Sequence, residues 1–295
     1  MIECVVNVSE GRDQALIERL RQAGNRSLLD THTDADHHRT VLTLAGPGVT
    51  DAADAARRVA TLAATSIDLE SHDGVHPRLG ALDVVPFVPL GDTASSMADC
   101  RALAQAFGTW WAEAHQVPVF FYDEAAADGC PLPDVRREAF AAREPDIGPD
   151  RPHPHLGATA VGARPPLVAV NCVLETADVT VATRIAASVR SRDGGLAGVR
   201  ALGFRLESRG AAQVSMNLVA LASTGLESAC QAVRDRARSS GSDVVEVEIV
   251  GLIPDAEYRR CSEEFRSWAG LDATVTVEHR LAAALQGPSG PRPGS

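Results

Sequence analysis

The sequence predicts an α+β protein, an α/β sandwich in which two ferredoxin-like βαββαβ subdomains repeat along the chain. Three observations carry this expectation. Strand-like alternation and helix-like spacing of apolar residues follow one another in the same order twice. The chain has 295 residues, 45% of them apolar, enough for one large core or two smaller ones. No apolar run approaches the ~20 residues that a membrane-crossing helix requires. The expected division is 1–164 and 165–285, with the remainder, 286–295 (QGPSGPRPGS), as a disordered tail.

The first unit opens with alternation over Ile2–Val8. Helical spacing follows over 12–23 (Leu16, Ile17, Leu20) and is closed by Gly24. Strands are expected at 26–31 and Arg39–Ala45. A helix with Thr50 as its N-cap then carries an alanine-rich face to Thr65, and a strand covers Leu82–Pro89. The second unit repeats that order with a strand at 167–174, a helix at 178–192, strands at 198–206 and 212–219, a helix at 225–237 and a strand at 244–250. Between the units lie a helix at 96–115, a strand at 118–122 and a proline-rich loop at 144–155. At least one of Trp110 and Trp111 belongs in the core. A split βαβ unit puts its helices on one face of its sheet, so a cleft between the two units is the natural ligand site.

Composition removes several chemistries. All 28 basic residues are arginine, and lysine is absent. That excludes a Schiff-base nucleophile, a pyridoxal phosphate anchor, a phosphate-loop lysine and a lysine general base. A formal net charge of -11, with the arginines scattered, opposes nucleic acid as a partner. The opening MIECVVNVSEGRD has neither a basic leader nor a small-residue cleavage site, so a cytoplasmic protein without a membrane partner is expected. The six cysteines include no Cys-x-x-Cys, which argues against a disulfide framework and a cysteine zinc site.

Histidine is the strongest chemical signal. Seven of the nine fall in three short groups: His32, His37 and His38; His72 and His76; His153 and His155. A single histidine is more often a hydrogen-bonded loop residue than a catalyst, but grouping near strand ends favours a site. A metal reading rests on His32-Thr-Asp34-Ala-Asp36-His37, which matches the His-x-His-x-Asp-His pattern of the metallo-β-lactamase superfamily at all but one position. It would make the chain a metal-dependent hydrolase. That fold alternates differently, and the position held by Asp34 should be a ligating histidine, so no metal is the preferred expectation. The acid–base reading rests on the polar loop from Ser71 to Asp83. A histidine there titrates near neutrality and can move a proton in each direction, while Arg78 offers a fork for a carboxylate.

Several stretches carry a family resemblance: Glu3-Cys4-Val5 with Asn7-Val8-Ser9-Glu10-Gly11; Leu28-Leu29-Asp30; His38-Arg39-Thr40-Val41; His76-Pro77-Arg78-Leu79-Gly80-Ala81-Leu82-Asp83; Gly157-Ala158-Thr159 with Gly162-Ala163-Arg164; and Ala212-Gln213-Val214-Ser215-Met216-Asn217-Leu218. On these the chain resembles the formiminotransferase domain of the formiminotransferase-cyclodeaminase family. The resemblance implies transfer of a formimino group from N-formimino-L-glutamate to N5 of tetrahydrofolate, a co-substrate, in the one-carbon chemistry of histidine catabolism. It also implies a homodimer. It places the catalytic general acid/base at His76 and the folate-binding loop at Gly148-Pro149-Asp150-Arg151-Pro152-His153-Pro154-His155-Leu156-Gly157. Beside these, substrate contacts are expected at Arg39, Arg78, His32 and His38, and a further folate contact at Arg164. The family's large form carries a cyclodeaminase domain after this one, and that second activity is expected to be absent here.

The sequence departs from the family at three positions. Val75 stands where an acidic residue precedes the catalytic histidine, His32 where vertebrate forms have aspartate, and Pro165 where a lysine follows Gly-Ala-Arg. These departures leave two neighbouring readings open: a folate-dependent formimino or formyl transferase with another donor or acceptor, and a folate-binding homologue without catalysis.

Overall fold

The structure is a computed structural model that describes residues 1–75, 77–91 and 95–286, with the backbone alone at 95 and 96. Its first half contains β1 (Ile2–Val8), α1 (Gln14–Gly24), β2 (Leu28–Asp34), β3 (Arg39–Ala45), α2 (Asp51–Ser66), β4 (Leu82–Pro89), α3 (Ser95–His115), β5 (Val119–Asp123), α4 (Leu132–Glu138) and β6 (Thr159–Ala163). The second half contains β7 (Val168–Leu174), α5 (Val179–Val189), β8 (Val199–Leu206), β9 (Ala211–Leu218), α6 (Leu226–Ser239) and β10 (Val244–Ile249). It closes with α7 (Asp255–Arg260), α8 (Glu263–Trp268) and α9 (Val277–Gln286).

Two sheets result, one of six strands in the order β2-β3-β1-β4-β6-β5 and one of four in the order β10-β7-β9-β8. Each contains the expected βαββαβ unit. The first also gains β5 and β6, of which β6 pairs parallel with both β4 and the edge strand β5. The sequence announces β6 only weakly, since Thr-Ala-Val-Gly-Ala is short and three of its five residues, Ala160, Gly162 and Ala163, have low strand propensity. Its hydrogen-bonding partners on both sides make it a strand.

The helix faces form the cores. Ile2, Cys4, Val6 and Val8 point the same way from β1 and meet Leu42, Leu44, the alanines of α2, and Phe107 and Trp111 of α3. Small side chains on α2 let the helix sit close to the sheet. Trp111 donates to Thr159 Oγ1 at 2.9 Å, and that hydroxyl donates to Leu82 O at 2.7 Å, so α3, β6 and β4 are tied through one buried relay. In the second sheet Val170, Cys172, Val214 and Met216 meet Ile185, Ala186 and Val233 of α5 and α6.

Local signals also decide where helices begin. Asp13 caps α1 by accepting from Ala15 N and Leu16 N, and Asp178 caps α5. Thr50 is the N-cap residue of α2 as expected, but its hydroxyl makes no capping bond, and Asp51 accepts from Gly48 N at 2.8 Å beside it. The strand expected at 26–31 is Leu28–Asp34, which puts His32 on a strand. Helix α5 ends at Val189, before the expected 192.

The faces without helices turn toward each other. His32 Nε2 lies 3.6 Å from Glu248 Oε1, Asn171 donates to Glu248 Oε2 at 2.9 Å, and the His37 ring meets the edge of Phe204 at 5.0 Å between centroids. Helix α9 returns to pack Val277 and Leu281 against Leu29 and Ala45 of the first sheet. Of the expected tail, 287–295 lie outside the described residues. No helix among the described residues is long and apolar enough to cross a membrane.

Glu3 sits on the inward face of β1. Burial pushes its carboxyl up to about 7, with Arg164 opposing and Glu278 adding to the rise. A carboxyl raised on folding binds its proton more tightly in the native state, so stability falls as pH rises from the unfolded value through about 7. Glu3→Gln, which keeps the shape of the protonated acid, should stabilise the protein by about 3 kcal/mol at pH 8 and by under ~1 kcal/mol at pH 5. Urea unfolding at both pH values measures the difference, and an equal effect at both would contradict the assignment.

Candidate active site

The loop that carries His-Pro-Arg runs from the end of α2 into β4 and is held from beneath by a buried carboxylate. Asp83 is 2% exposed. Its Oδ1 accepts from Leu79 N at 2.6 Å and from Arg136 Nη1 at 3.1 Å, and its Oδ2 accepts from Arg136 Nη2 at 2.5 Å. Arg136 Nη1 also donates to Pro77 O at 3.0 Å. One guanidinium of α4 therefore closes the loop onto the first residues of β4. On the other side, Val75 N donates to Asp36 O at 3.2 Å, which ties the loop to the β2–β3 turn. His76 itself lies outside the described residues.

Above this floor the histidines assemble. His38, in the left-handed region at φ 50°, stacks on His72 with centroids 3.9 Å apart. His38 Nδ1 accepts from Gly11 N at 3.1 Å, so a neutral ring carries its proton on Nε2. Burial pushes the imidazole down, with the carboxylate of Glu10 opposing. Glu10 is itself cradled, since one oxygen accepts from the backbone N–H of Gly11, Arg12 and Asp13 at 2.7 to 2.9 Å. Arg78 spends its fork inside the loop, donating through Nη1 to His72 Nε2 at 2.7 Å and through Nη2 to Gly74 O at 3.0 Å. Arg12 pairs with Asp73 at 2.6 Å, and the guanidinium holds that carboxyl below its usual range. Arg39 is half-buried beside Asp83 and Arg136; burial pushes its guanidinium down to about 10, with Asp83 opposing, and it stays charged at neutral pH.

The metal reading does not assemble. Asp34 is turned back on His37, accepting from its backbone N–H at 2.8 Å, while Asp36 accepts from Ser208 N at 3.1 Å and Ser208 Oγ at 2.5 Å. His32 faces Glu248 of the other sheet. Among the described residues, the group whose ligand atoms lie close enough for one ion is Asp68, Glu70 and His155, all exposed, and it excludes His32, Asp34, Asp36 and His37.

The second expected loop is brought against the first. Gly157, at φ 68°, leaves no room for a Cβ, which would lie 2.3 Å from Leu79 O. A Cβ on Gly80 would lie 2.1 Å from Ala158 O. Ala81 N donates to Leu156 O and Ala158 N to Leu79 O, both at 3.0 Å. His153 Nδ1 accepts from His155 N and Leu156 N, which tightens the turn, while Asp150, Arg151, Pro152 and Pro154 are exposed. His155 pairs with Asp68 at 3.1 Å. Gly148 and Pro149 lie farther back, with Gly148 beside Val117 O. Arg164 is remote from both loops, at the opposite end of β6.

The family model described as "Formiminotransferase domain, N-terminal subdomain" matches residues 1–164, and the one described as "Formiminotransferase domain" matches 169–279. The chain belongs to the formiminotransferase domain family. It is 36% identical over 301 residues to "Glutamate formimidoyltransferase" of Thermoplasma acidophilum, covering 96% of this chain and 98% of the relative. It is 35% identical to the protein of the same name in Streptococcus pyogenes serotype M1, covering 90% and 95%. "Formimidoyltransferase-cyclodeaminase" of Rattus norvegicus is 36% identical over 90% of this chain and 53% of its own length. The three departures of this formiminotransferase all have structural places. Val75 is 45% exposed on the loop, His32 faces the opposite sheet, and Pro165 lines a cavity between the sheets.

Sequence reasoning missed Arg136, Glu10 and the bracing role of Asp83. A bidentate partner for a motif aspartate cannot be read from spacing, because Arg136 stands fifty-three residues later, on α4. Arg136→Met should leave Asp83 buried without its cation, lower the unfolding free energy by about 3 kcal/mol and slow turnover at least tenfold. The double variant Asp83→Leu/Arg136→Met should recover stability but not turnover. Urea unfolding and initial rates read both, and full activity in the double variant would show that the pair does not hold the loop for catalysis.

Proposed function

We propose that this chain transfers a formimino group from N-formimino-L-glutamate to N5 of tetrahydrofolate, with His76 as general acid/base. The observation that supports the reading most is the match of both formiminotransferase models along the chain, in a protein whose His-Pro-Arg loop is anchored on either side of position 76. In the same reading 1–164 and 165–285 are the two subdomains, the protein is a cytoplasmic homodimer, and neither a metal nor nucleic acid takes part.

The chemistry needs one proton moved across a tetrahedral centre. N5 attacks the formimino carbon and loses its proton, and the glutamate nitrogen gains one as the old carbon–nitrogen bond breaks. A single imidazole near neutrality serves both halves. Arg39 is the fork suited to a substrate carboxylate beside that centre. Arg78 braces His72 and the loop, and His38 presents Nε2–H. The turn of the second loop, from His153 to Gly157, supports the pterin end of the folate, since Gly157 and Leu156 are packed against Leu79 and Ala81.

His76→Ala should reduce turnover about 100-fold or more while leaving tetrahydrofolate affinity within about threefold. The assay follows the absorbance of the acid-cyclised product, with folate affinity from calorimetry. A loss of less than tenfold would remove His76 from the role. Tight folate binding without turnover in the unaltered protein would favour a different donor or a homologue without catalysis.

A further inference from the structure

The two carboxylates of the string His32-Thr33-Asp34-Ala35-Asp36-His37 have different partners and different tasks. Asp34 accepts from His37 N at 2.8 Å and so closes the β2–β3 turn, 35–38, on itself. Asp36 leaves that turn toward the second sheet. Its Oδ1 accepts from Ser208 N at 3.1 Å and its Oδ2 from Ser208 Oγ at 2.5 Å. Ser208 lies in the β8–β9 turn, 207–210, and is 172 residues further along the chain. That turn is braced on its own sheet, because Arg209 pairs with Glu246 of β10. Beside the joint, Phe204 of β8 packs against the buried His37 ring. Two charge-assisted hydrogen bonds and one aromatic contact therefore seat the turns against each other.

The other side of the β2–β3 turn carries the His-Pro-Arg loop. Asp36 O accepts from Val75 N at 3.2 Å. Arg12 spans the same two segments, donating from Nε to Ala35 O at 3.0 Å and from Nη1 to Asp73 Oδ1 at 2.6 Å. Gly74 lies so close that a Cβ there would stand 2.7 Å from His37 O and 2.8 Å from His38 Cβ. Contacts this tight leave no slack between turn and loop. Asp36 bonds in both directions, with its carboxylate to the second sheet and its carbonyl to the loop.

We propose that Asp36 is a positioning residue for formimino transfer, through which the β8–β9 turn of the second sheet fixes the His-Pro-Arg loop of the first. The inference rests on the reading of His76 as general acid/base. Hydrogen bonds at a water-accessible joint add little to folding stability, since water replaces them at small cost. Placement of a proton-transferring group is more demanding, because a shift of about 1 Å costs up to about 100-fold in rate. Loss of the joint is therefore seen in turnover and in loop protection before it is seen in unfolding.

Asp36→Ala removes the carboxylate and keeps the carbonyl, so it opens only the half of the joint that faces the second sheet. It should lower kcat about tenfold, with the KM values for tetrahydrofolate and N-formimino-L-glutamate within about threefold and the urea midpoint unchanged. Hydrogen exchange at the Val75 amide, followed by NMR, should accelerate about tenfold. Asp36→Asn still accepts from Ser208 N and meets its hydroxyl, and should bring kcat and exchange back to within about threefold of the unaltered chain. From the opposite side, Ser208→Ala should lower kcat about threefold, and Asp36→Ala/Ser208→Ala should be no slower than Asp36→Ala alone.

Unchanged exchange at Val75 in Asp36→Ala, faster exchange with unchanged kcat, no recovery in Asp36→Asn, or additive losses in the double variant each overturns the proposal. So does a loss of rate that follows a loss of urea midpoint across the variants. Faster exchange on substitution, in a chain whose unaltered form does not turn over N-formimino-L-glutamate, would overturn the functional reading and the positioning role with it, while establishing the link between sheet and loop.

Discussion

A carboxylate buried at the head of a central strand must have its charge matched and its oxygens filled, and much of the site follows from how Asp83 achieves this. Its partners are an amide four residues earlier and a guanidinium fifty-three residues later. The first curls the His-Pro-Arg loop back over β4; the second clamps that loop at Pro77 and ties it to α4. The loop in turn presents Leu79 and Gly80 to the 153–157 turn, whose approach only glycine permits. Two segments far apart in sequence become one floor because one charge could not be left alone.

The second organising condition is that the two sheets turn their bare faces inward. A helix-covered face can be apolar throughout, as β1 and β7 are on their core sides. The inward faces instead carry Glu3, Asn7, His32, Arg39, Asn171 and Gln213; Asn171 donates to Glu248 of its own sheet, and His32 meets the same Glu248 from across the cleft. Burying such groups brings little stability of its own, which is why they are better understood as recognition chemistry than as glue. Glu3 shows the strain, its carboxyl raised by the same burial that supports the fold.

The repeated βαββαβ order was readable because apolar periodicity and caps such as Asp13 are local signals. Thr50 marks the start of α2 correctly, although the side-chain bond at that turn is made by the neighbouring Asp51. Strand β6 was hidden because its identity lies in its neighbours, β4 and β5, and not in its own small residues. The same division holds at the site. Motif residues such as Arg78 and Asp83 stood out in the sequence, but their actions did not. Arg78 looked like a substrate fork and is engaged with His72, while Arg136 and Glu10 gain their meaning from contacts that only the folded chain brings about. The metal pattern failed for a related reason: a string of ligand types says nothing of where each carboxylate points, and Asp36 points to Ser208.

Every cation around the loop and the cavity beside Pro165 is a guanidinium, from Arg12, Arg39, Arg78 and Arg136 to Arg164 and Arg200. Guanidinium binds carboxylates well but is too weak a nucleophile to take up an electrophilic carbon. A primary amine in the same place would offer an activated one-carbon unit a second acceptor and become blocked by it. Because this chain has no such side chain, its recognition surface is chemically inert toward the group it is proposed to handle, and repeated turnover would leave it unmodified.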